Sequence, residues 1–194
     1  MSTARALLTV VGILGCSLLA AQEPSKRELA KADEIASERQ ETLMMAEATM
    51  SRLRQEAPES AELIDKAYGY AVFDAAKGGF IVSGAAGKGV AQRRGGQDPV
   101  FMRMRSVGIG LTAGGQSYKL VILFENSMAY DQFIEGQRDF KGAAQAAAGG
   151  AAAGAAPRFE DGAAVYHLSD KGLIGNIDMS SVKFSKDDDL NGAG

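Results

Sequence analysis

The chain has 194 residues, which is enough for one domain with a proper hydrophobic core. Hydrophobic residues make up 46% of it and charged residues 23%, as in ordinary globular proteins, which argues against a disordered chain. Its 24 glycines show no three-residue period, which excludes a collagen-like fold, and its formal charge of −3 disfavours nucleic-acid binding.

The first 21 residues have the pattern of an export signal peptide. Arg5 supplies a positive charge, Ala6 to Leu19 contains no charged residue, and Ala20-Ala21 offers small residues to a signal peptidase. The apolar run is too short to span a bilayer comfortably. We therefore expect residues 1–21 to be removed and the protein to be exported, to the periplasm or to a membrane that faces it.

Cys16 is the single cysteine of the chain and lies inside the apolar run. It is either an apolar residue that is removed with the signal, or the acylated cysteine of a lipoprotein signal that follows Ile13-Leu14-Gly15. In both cases no disulfide can form within the chain, so packing has to stabilise the fold.

Residues 22–57 are predicted to form a long N-terminal helix. Ser25 and Glu28 have the spacing of a capping box at its start. Small and apolar residues recur in a seven-residue pattern that Arg39 interrupts; they are Leu29, Ala32, Ala36, Leu43, Ala46, Met50 and Leu53. Since this stripe is narrow and the opposite face is acidic, it favours packing against the domain or a partner helix over membrane insertion.

A second short helix and a series of strands are predicted to follow. Pro58 suits the start of a helix over Glu59 to Ala67. From Gly69 to Glu125, short apolar runs, frequent glycines and the turn at Gly95 to Pro99 indicate antiparallel strands. Leu120 to Phe124 is apolar at every position, which predicts a central strand covered on both faces.

A third helix is predicted after these strands. Ser127 is the expected cap of a helix that ends at Gly136, and Met128, Phe133 and Ile134 are its expected inner residues.

The C-terminal part is harder to interpret. The block from Gly142 to Ala156 is rich in alanine, which favours a helix, but its glycines favour an extended segment, which we prefer. Strands are predicted at Ala163 to Leu168 and at Leu173 to Phe184. Residues 187–194 begin with three aspartates and are predicted to be a flexible, solvated tail.

Two glycine-patterned segments resemble the SYLF domain family. Lys77-Gly78-Gly79-Phe80 is followed by Gly84-Ala-Ala-Gly87-Lys88-Gly89-Val90, as in the family pattern. The similarity continues through residues 106–118, 120–125 and 171–175, so that it covers about residues 60 to 185. Asp74 departs from the family, which usually has proline at this position.

The resemblance implies a fold and a function. The expected fold is α+β, with a long N-terminal helix and then a glycine-patterned antiparallel sheet, a sandwich or partial barrel, covered by short helices. The SYLF-like domain would span residues 58–186. The family is associated with binding of phosphoinositides and other anionic lipids and, in fungi, of actin.

Positive charge is concentrated in the middle of the chain. Residues 66–119 carry a net charge of +6, whereas residues 22–65 and residues 120–194 each carry −5. This pattern is typical of a site for an anionic ligand, but it equally fits a segment whose cations form salt bridges with the acidic long helix. If the site exists, its expected contacts with lipid phosphate are Lys77, Lys88, Arg93, Arg94, Arg103, Arg105 and Lys119.

The placement of these cations can be predicted in part. Lys77 and Lys88 are expected in glycine-rich turns, where apolar residues would add contact with acyl chains. Arg103 and Arg105 share a face of one strand by alternation. Arg93 and Arg94 precede the same turn, so we expect them to lie near Arg103 and Arg105 in a hairpin.

The sequence offers no catalytic or metal-binding constellation. His167 is the single histidine, and its apolar strand predicts a packed structural role. We therefore expect a non-enzymatic protein without cofactor or metal, whose partners are anionic phospholipids or a membrane surface. The alternative is a scaffold in the cell envelope that uses the long helix to bind another protein.

Overall fold

The computed structural model of the chain describes residues 25–78, 82–96, 98–109, 116–137, 158–170, 172–173 and 182–192. The predicted export signal with Cys16 and the block from Gly142 to Ala156 lie outside these ranges, as do most of the residues between 173 and 182.

The first helix, α1, spans Lys26–Glu56 and begins as the sequence predicts. The Ser25 hydroxyl accepts a hydrogen bond from the Glu28 amide at 3.3 Å, and the Ser25 amide donates to the Glu28 carboxylate at 2.7 Å. This confirms the capping box. After α1, Pro58–Ser60 forms a 3-10 turn and Ala61–Lys66 forms α2, which confirms the second short helix.

Only part of the predicted apolar stripe on α1 is buried. The buried residues are Thr42, Ala46, Thr49 and Leu53. Leu29 is 50% exposed, and Ala32 and Ala36 are exposed too, because the first half of the helix makes little contact with the domain.

Two threonines outside the predicted stripe are buried beside its members Leu43 and Met50, which are themselves partly buried. The Thr42 hydroxyl donates to the carbonyl of Glu38 at 2.8 Å, and the Thr49 hydroxyl donates to the carbonyl of Met45 at 2.7 Å. Since the helix itself satisfies both hydroxyl groups, they can be buried without an unpaired donor.

The strands of the described residues form one antiparallel sheet of seven strands that does not close into a barrel. They are β1 (Gly69–Gly78), β2 (Val82–Arg93), β3 (Val100–Ile109), β4 (Gln116–Phe124), β5 (Ala163–Ser169), β6 (Gly172–Leu173) and β7 (Val182–Lys186). Their spatial order is β6-β5-β4-β1-β2-β3-β7. The α+β fold predicted from the sequence, with a long N-terminal helix and an antiparallel sheet, is therefore confirmed, and the sheet is open.

Hydrophobic cores lie on both faces of the sheet. On one face, α1 and α2 pack over residues such as Val72, Val90 and Val121. On the other face, Phe73 and Ile122 pack with the third helix, α3 (Ser127–Ile134). β4 lies between β1 and β5, and its residues from 120 to 124 are fully buried, which confirms the doubly covered central strand.

Two expectations for α3 are wrong. Its cap is Asn126, whose side chain accepts a hydrogen bond from the Ala129 amide at 2.9 Å. Met128 is 69% exposed, and Tyr130 is buried with Phe133 instead.

The C-terminal residues 187–192 are ordered by contacts with β3, contrary to the flexible tail expected from their charge. Asp187 is 1% exposed, and Asp188–Gly192 forms the short helix α4 with Leu190 buried. The Asn191 side chain accepts from the Phe101 amide at 3.0 Å and donates to its carbonyl at 2.7 Å.

Glycines allow β2 to lie very close to β1. A Cβ atom on Gly87 would lie 2.6 Å from the carbonyl oxygen of Asp74, and one on Gly89 would collide with the carbonyl oxygen of Val72. These glycines are strand residues, so Lys88 between them lies in the middle of β2. The expectation that Lys88 lies in a turn is therefore wrong. Gly84, by contrast, has room for a methyl group, with the nearest atom at 3.5 Å.

We predict that Gly89→Ala lowers the free energy of unfolding by about 1–3 kcal/mol, because the methyl group has to push two paired strands apart. Gly84→Ala is the matched control and should change it by less than about 1 kcal/mol. Urea denaturation followed by circular dichroism measures both values. Equal effects of the two variants would contradict the close approach of β1 and β2 at Gly89.

Candidate anion-binding site

A row of charged side chains crosses the sheet on the face that carries α1. The strand register places Lys119, Asp74, Lys88 and Arg103 side by side on β4, β1, β2 and β3. Directly opposed residues share a face of a sheet, so all four side chains belong to one surface. We call these four residues the charged row.

Two further cations lie next to the charged row, toward the ends of the strands. Arg105 on β3 is directly opposite Lys183 on β7, and both are exposed. The same register line continues through Ala86, Ala76 and Ser117, which are small. The cations at this end of the sheet therefore lie next to a surface formed by small side chains.

Two adjoining clefts open on this surface. The first, of about 680 Å³, lies between α1 and the sheet, and Glu38, Thr42 and Met45 line it from the helix. The second, of about 630 Å³, is lined by residues that include Arg103 and Arg105. Asp74 and Lys88 line both clefts, so they mark the boundary between an acidic and a basic compartment.

Ion pairs neutralise most of the charged row. Lys119 pairs with Asp74 at 2.6 Å, and Lys88 pairs with Glu38 of α1. Arg103 holds the buried Asp187 with two hydrogen bonds, of 2.6 and 2.9 Å. The alternative reading of the charge pattern, salt bridges with the acidic long helix, thus holds for Lys88, whereas Lys119 and Arg103 pair with carboxylates of other segments.

The Arg103–Asp187 pair shifts the pKa of both groups. Burial acts to raise the pKa of Asp187, but hydrogen bonds and charge from Arg103, together with the Leu190 amide, outweigh it and lower this pKa. The hydrogen bond and charge of Asp187 in turn raise the pKa of Arg103. Arg103 is therefore a structural cation that holds α4 on the sheet.

Arg105 and Lys183 differ from these cations. Within the part of the chain that the structure describes, neither side chain has a carboxylate partner. Like charges directly opposite each other on neighbouring strands repel, so this pair is a cost to the fold unless an anion lies between the two side chains.

Lys183 is a residue that the sequence analysis missed. The charge count indicated the segment that ends at Lys119, and Lys183 lies in an acidic region far along the chain. Only the pairing of β7 with β3 brings it opposite Arg105. From the sequence, the alternation along Val182–Lys186 predicts which face of the strand Lys183 is on, but it does not predict which residue lies opposite Lys183.

The expected approach of Arg93 and Arg94 to Arg103 and Arg105 does not occur. β2 and β3 pair with Ala91 opposite Val100, so Arg103 lies opposite Lys88 and Arg93 remains at the turn. Alternation also turns Arg93 to the opposite face, where it pairs with Asp131 at 3.5 Å.

Three predicted residues complete the account of the site. Arg94 lines a separate cleft of about 270 Å³ at the turn end of the sheet. The backbone of Lys77 pairs with Ala85 and Gln116 in the sheet, and its side chain lies outside the described residues. Cys16 lies outside them as well.

His167 is packed in the sheet, as predicted. It is buried on β5, its ring lies 5.2 Å from that of Tyr118, and its Nε2 has no hydrogen-bond partner among the described residues. Burial lowers the pKa of His167 to about 3. Among the described residues, no group of three or more His, Cys, Asp or Glu side chains is placed to hold a metal ion.

Comparisons with known proteins agree with this architecture. Residues 105–193, from the end of β3 through α4, match the Ysc84 family, described as Las17-binding protein actin regulator. A 146-residue segment is 34% identical to Beta cell expansion factor A from Aeromonas veronii, over 75% of this chain and 56% of that protein. The alignment therefore spans little more than half of the relative's length.

The description of this family names a binding protein and a regulator. Residues 105–193 thus match the SYLF (Ysc84) domain family, which confirms the family resemblance over this part of the sequence. No helix within the described residues is long and apolar enough to cross a membrane.

We predict that Arg103→Gln lowers the free energy of unfolding by about 3 kcal/mol, because it leaves the buried carboxylate of Asp187 without its partner. Arg105→Gln removes the same charge from the same strand and should change it by less than about 0.5 kcal/mol. Thermal and urea unfolding of both variants test this contrast. Similar stability of the two variants would argue against a structural role of Arg103.

We also predict a dependence of stability on pH that His167 causes. In the unfolded chain this imidazole takes up a proton near pH 6.5, whereas burial keeps it neutral in the folded chain down to about pH 3. Between these values the free energy of unfolding should fall as the pH falls, by up to about 1.4 kcal/mol per pH unit from this group.

His167→Gln should therefore have a shallower loss of stability between pH 6.5 and 4 than the wild type, while both retain the contribution of their carboxylates. Urea unfolding at a series of pH values measures the two slopes. Parallel slopes would show that His167 becomes protonated in the folded protein at its ordinary pKa.

Proposed function

We propose that this protein binds anionic phospholipid head groups, without catalysis, at a bacterial envelope membrane. The family match and the expected association of SYLF domains with lipids support the class of ligand. The observation that carries the proposal is the exposed pair of Arg105 and Lys183.

The argument from this pair is electrostatic. Directly opposed residues of an antiparallel pair have Cβ atoms about 5 Å apart, and two cations at this distance repel. A phosphate group that lies between them accepts hydrogen bonds from both and removes the repulsion. Arg103 and Lys88, one step along the same face, are already paired with Asp187 and Glu38, so the attraction comes from Arg105 and Lys183.

The magnitude of this attraction is modest. Each basic side chain near an anionic membrane contributes about 1 kcal/mol, so two to four of them give an affinity weaker than about 1 mM. Stable attachment to a membrane then needs a second contribution, such as several copies of the protein or an acyl chain on Cys16. The proposal also holds that residues 1–21 direct export of the protein, and that Cys16 is either acylated or removed with the signal.

A second candidate function is protein binding through α1. The first half of this helix is exposed, including Leu29 and, further on, Met44. The family description names a binding protein and regulator of other proteins. On this proposal α1 would serve an envelope protein as a docking helix, and the protein would be a scaffold, again not an enzyme.

Vesicle co-sedimentation tests the lipid proposal. We expect the wild type to bind vesicles that contain phosphatidylglycerol and to bind them less in high salt. It should not bind vesicles of pure phosphatidylcholine. Arg105→Glu with Lys183→Glu should weaken binding about tenfold or more.

The matched control is Arg94→Glu with Lys66→Glu, which makes the same change in net charge at the opposite end of the sheet. It should weaken binding less than about threefold. Equal losses in the two double variants would mean that net charge, and not this site, governs binding. Absence of binding to either kind of vesicle would favour the protein-binding role of α1.

A further inference from the structure

We propose that the carboxylate of Glu38 is a built-in competitor of the head-group phosphate, and that phosphate binding at Lys88 displaces it and frees the first half of α1. This inference rests on the proposed lipid-binding function and adds Lys88 to it as a gated second contact. The geometry that points to it is the ion pair between Glu38 and Lys88 at the boundary of the two clefts.

The two halves of α1 are held on the sheet by different forces. The second half is anchored by buried side chains, such as Ala46 and Leu53. From Lys26 to Glu34 every residue of the first half is exposed. After Glu34, this half contacts the domain through the partly buried Ile35 and through polar groups, and the polar contacts can be exchanged for contacts with a ligand.

These polar contacts are close together on the helix. Glu38 pairs with Lys88, and the Arg39 guanidinium donates to the carbonyl oxygen of Leu190 at 2.6 Å while it lies over the Phe101 ring. Displacement of Glu38 removes one polar contact and leaves the helix held at Arg39 and at the partly buried Ile35. The turns before Ile35 then move as a unit about these two residues.

Lys88 is within reach of a ligand that is bound at Arg105. Arg105 is opposite Ala86, which is two residues before Lys88 on β2, a separation of about 7 Å along the strand. Both residues line the same 630 Å³ cleft. A phosphate at Arg105 and Lys183 therefore places a second anionic group of the same head group, or of a neighbouring lipid, beside Lys88.

Replacement of Glu38 by a phosphate at Lys88 costs little free energy. The Lys88 side chain is more than half exposed, and an exposed ion pair with a carboxylate contributes little to stability. The phosphodiester of phosphatidylglycerol matches the Glu38 carboxylate in charge and in acceptor oxygens, and an anionic membrane surface presents many such groups at once. Anionic surfaces of high charge density thus displace Glu38, whereas dilute ones do not.

The test is a double-mutant cycle on vesicles of phosphatidylglycerol and phosphatidylcholine. Glu38→Gln should strengthen binding about two- to fivefold, the range that corresponds to an exposed ion pair. Glu41→Gln is the control, because Glu41 lines the same cleft and makes the same change in charge without contacting Lys88. Its effect should stay below about 1.5-fold.

The gain from Glu38→Gln should vanish in the background of Lys88→Gln. Hydrogen exchange of residues 26–38 should increase when the wild type binds vesicles, and should be raised without vesicles in Glu38→Gln. Circular dichroism verifies that each variant is folded.

The outcomes separate this inference from the function on which it rests. Wild-type binding that needs Arg105 and Lys183, with no gain in Glu38→Gln, overturns the competitor role and leaves the lipid-binding function standing. Equal gains in Glu38→Gln and Glu41→Gln also overturn it, because charge alone would explain them. Absence of binding in the wild type and in Glu38→Gln overturns both proposals.

Discussion

The close approach of β2 to β1 is the contact on which the rest of the structure depends. At Gly87 and Gly89 the backbones meet at distances that leave no room for a Cβ atom. This contact fixes the register of β1 and β2, and with it the alignment of Asp74, Lys88 and Arg103 across the sheet. Because a shift by one residue would turn every side chain of a strand to the other face, the charged row exists only in this register.

Charge in this protein serves both the fold and the surface. Arg103 stabilises the C-terminal helix through Asp187, and Lys119 is paired with Asp74. Arg105 and Lys183, two residues away on the same face, contribute no such pair among the described residues. The net charge of a segment is therefore a poor guide to a binding surface, since pairing across the fold decides which cations remain available.

The sequence predicted local structure well where one residue type dictates the geometry. The capping box at Ser25, the turn before Pro58 and the apolar strand from Leu120 to Phe124 depend on neighbours within a few residues, and all three are confirmed. The SYLF family was recognisable from glycine spacing for the same reason. These features required no knowledge of the tertiary pairing.

The expectations that were wrong depend on contacts between distant segments. Arg93 and Arg103 appear adjacent across a turn, but the length of that turn and the alternation of the strand place them on opposite faces. Lys183 joins Arg105 only through the pairing of β7 with β3. The burial of Thr42 was not predicted because threonine carries a polar hydroxyl group. In the structure this hydroxyl donates to a carbonyl of the helix itself.

The side-chain amide of Asn191 has a consequence for solubility. β7 pairs with β3 from Met102 to Ser106, and the amide of Asn191 bonds both the N–H and the C=O of Phe101, the next residue along. The amide thus imitates one more residue of a paired strand and closes the edge of β3 where β7 stops. A strand from another molecule therefore finds the backbone groups of Phe101 already bonded, so this short helix hinders edge-to-edge pairing at this point of β3.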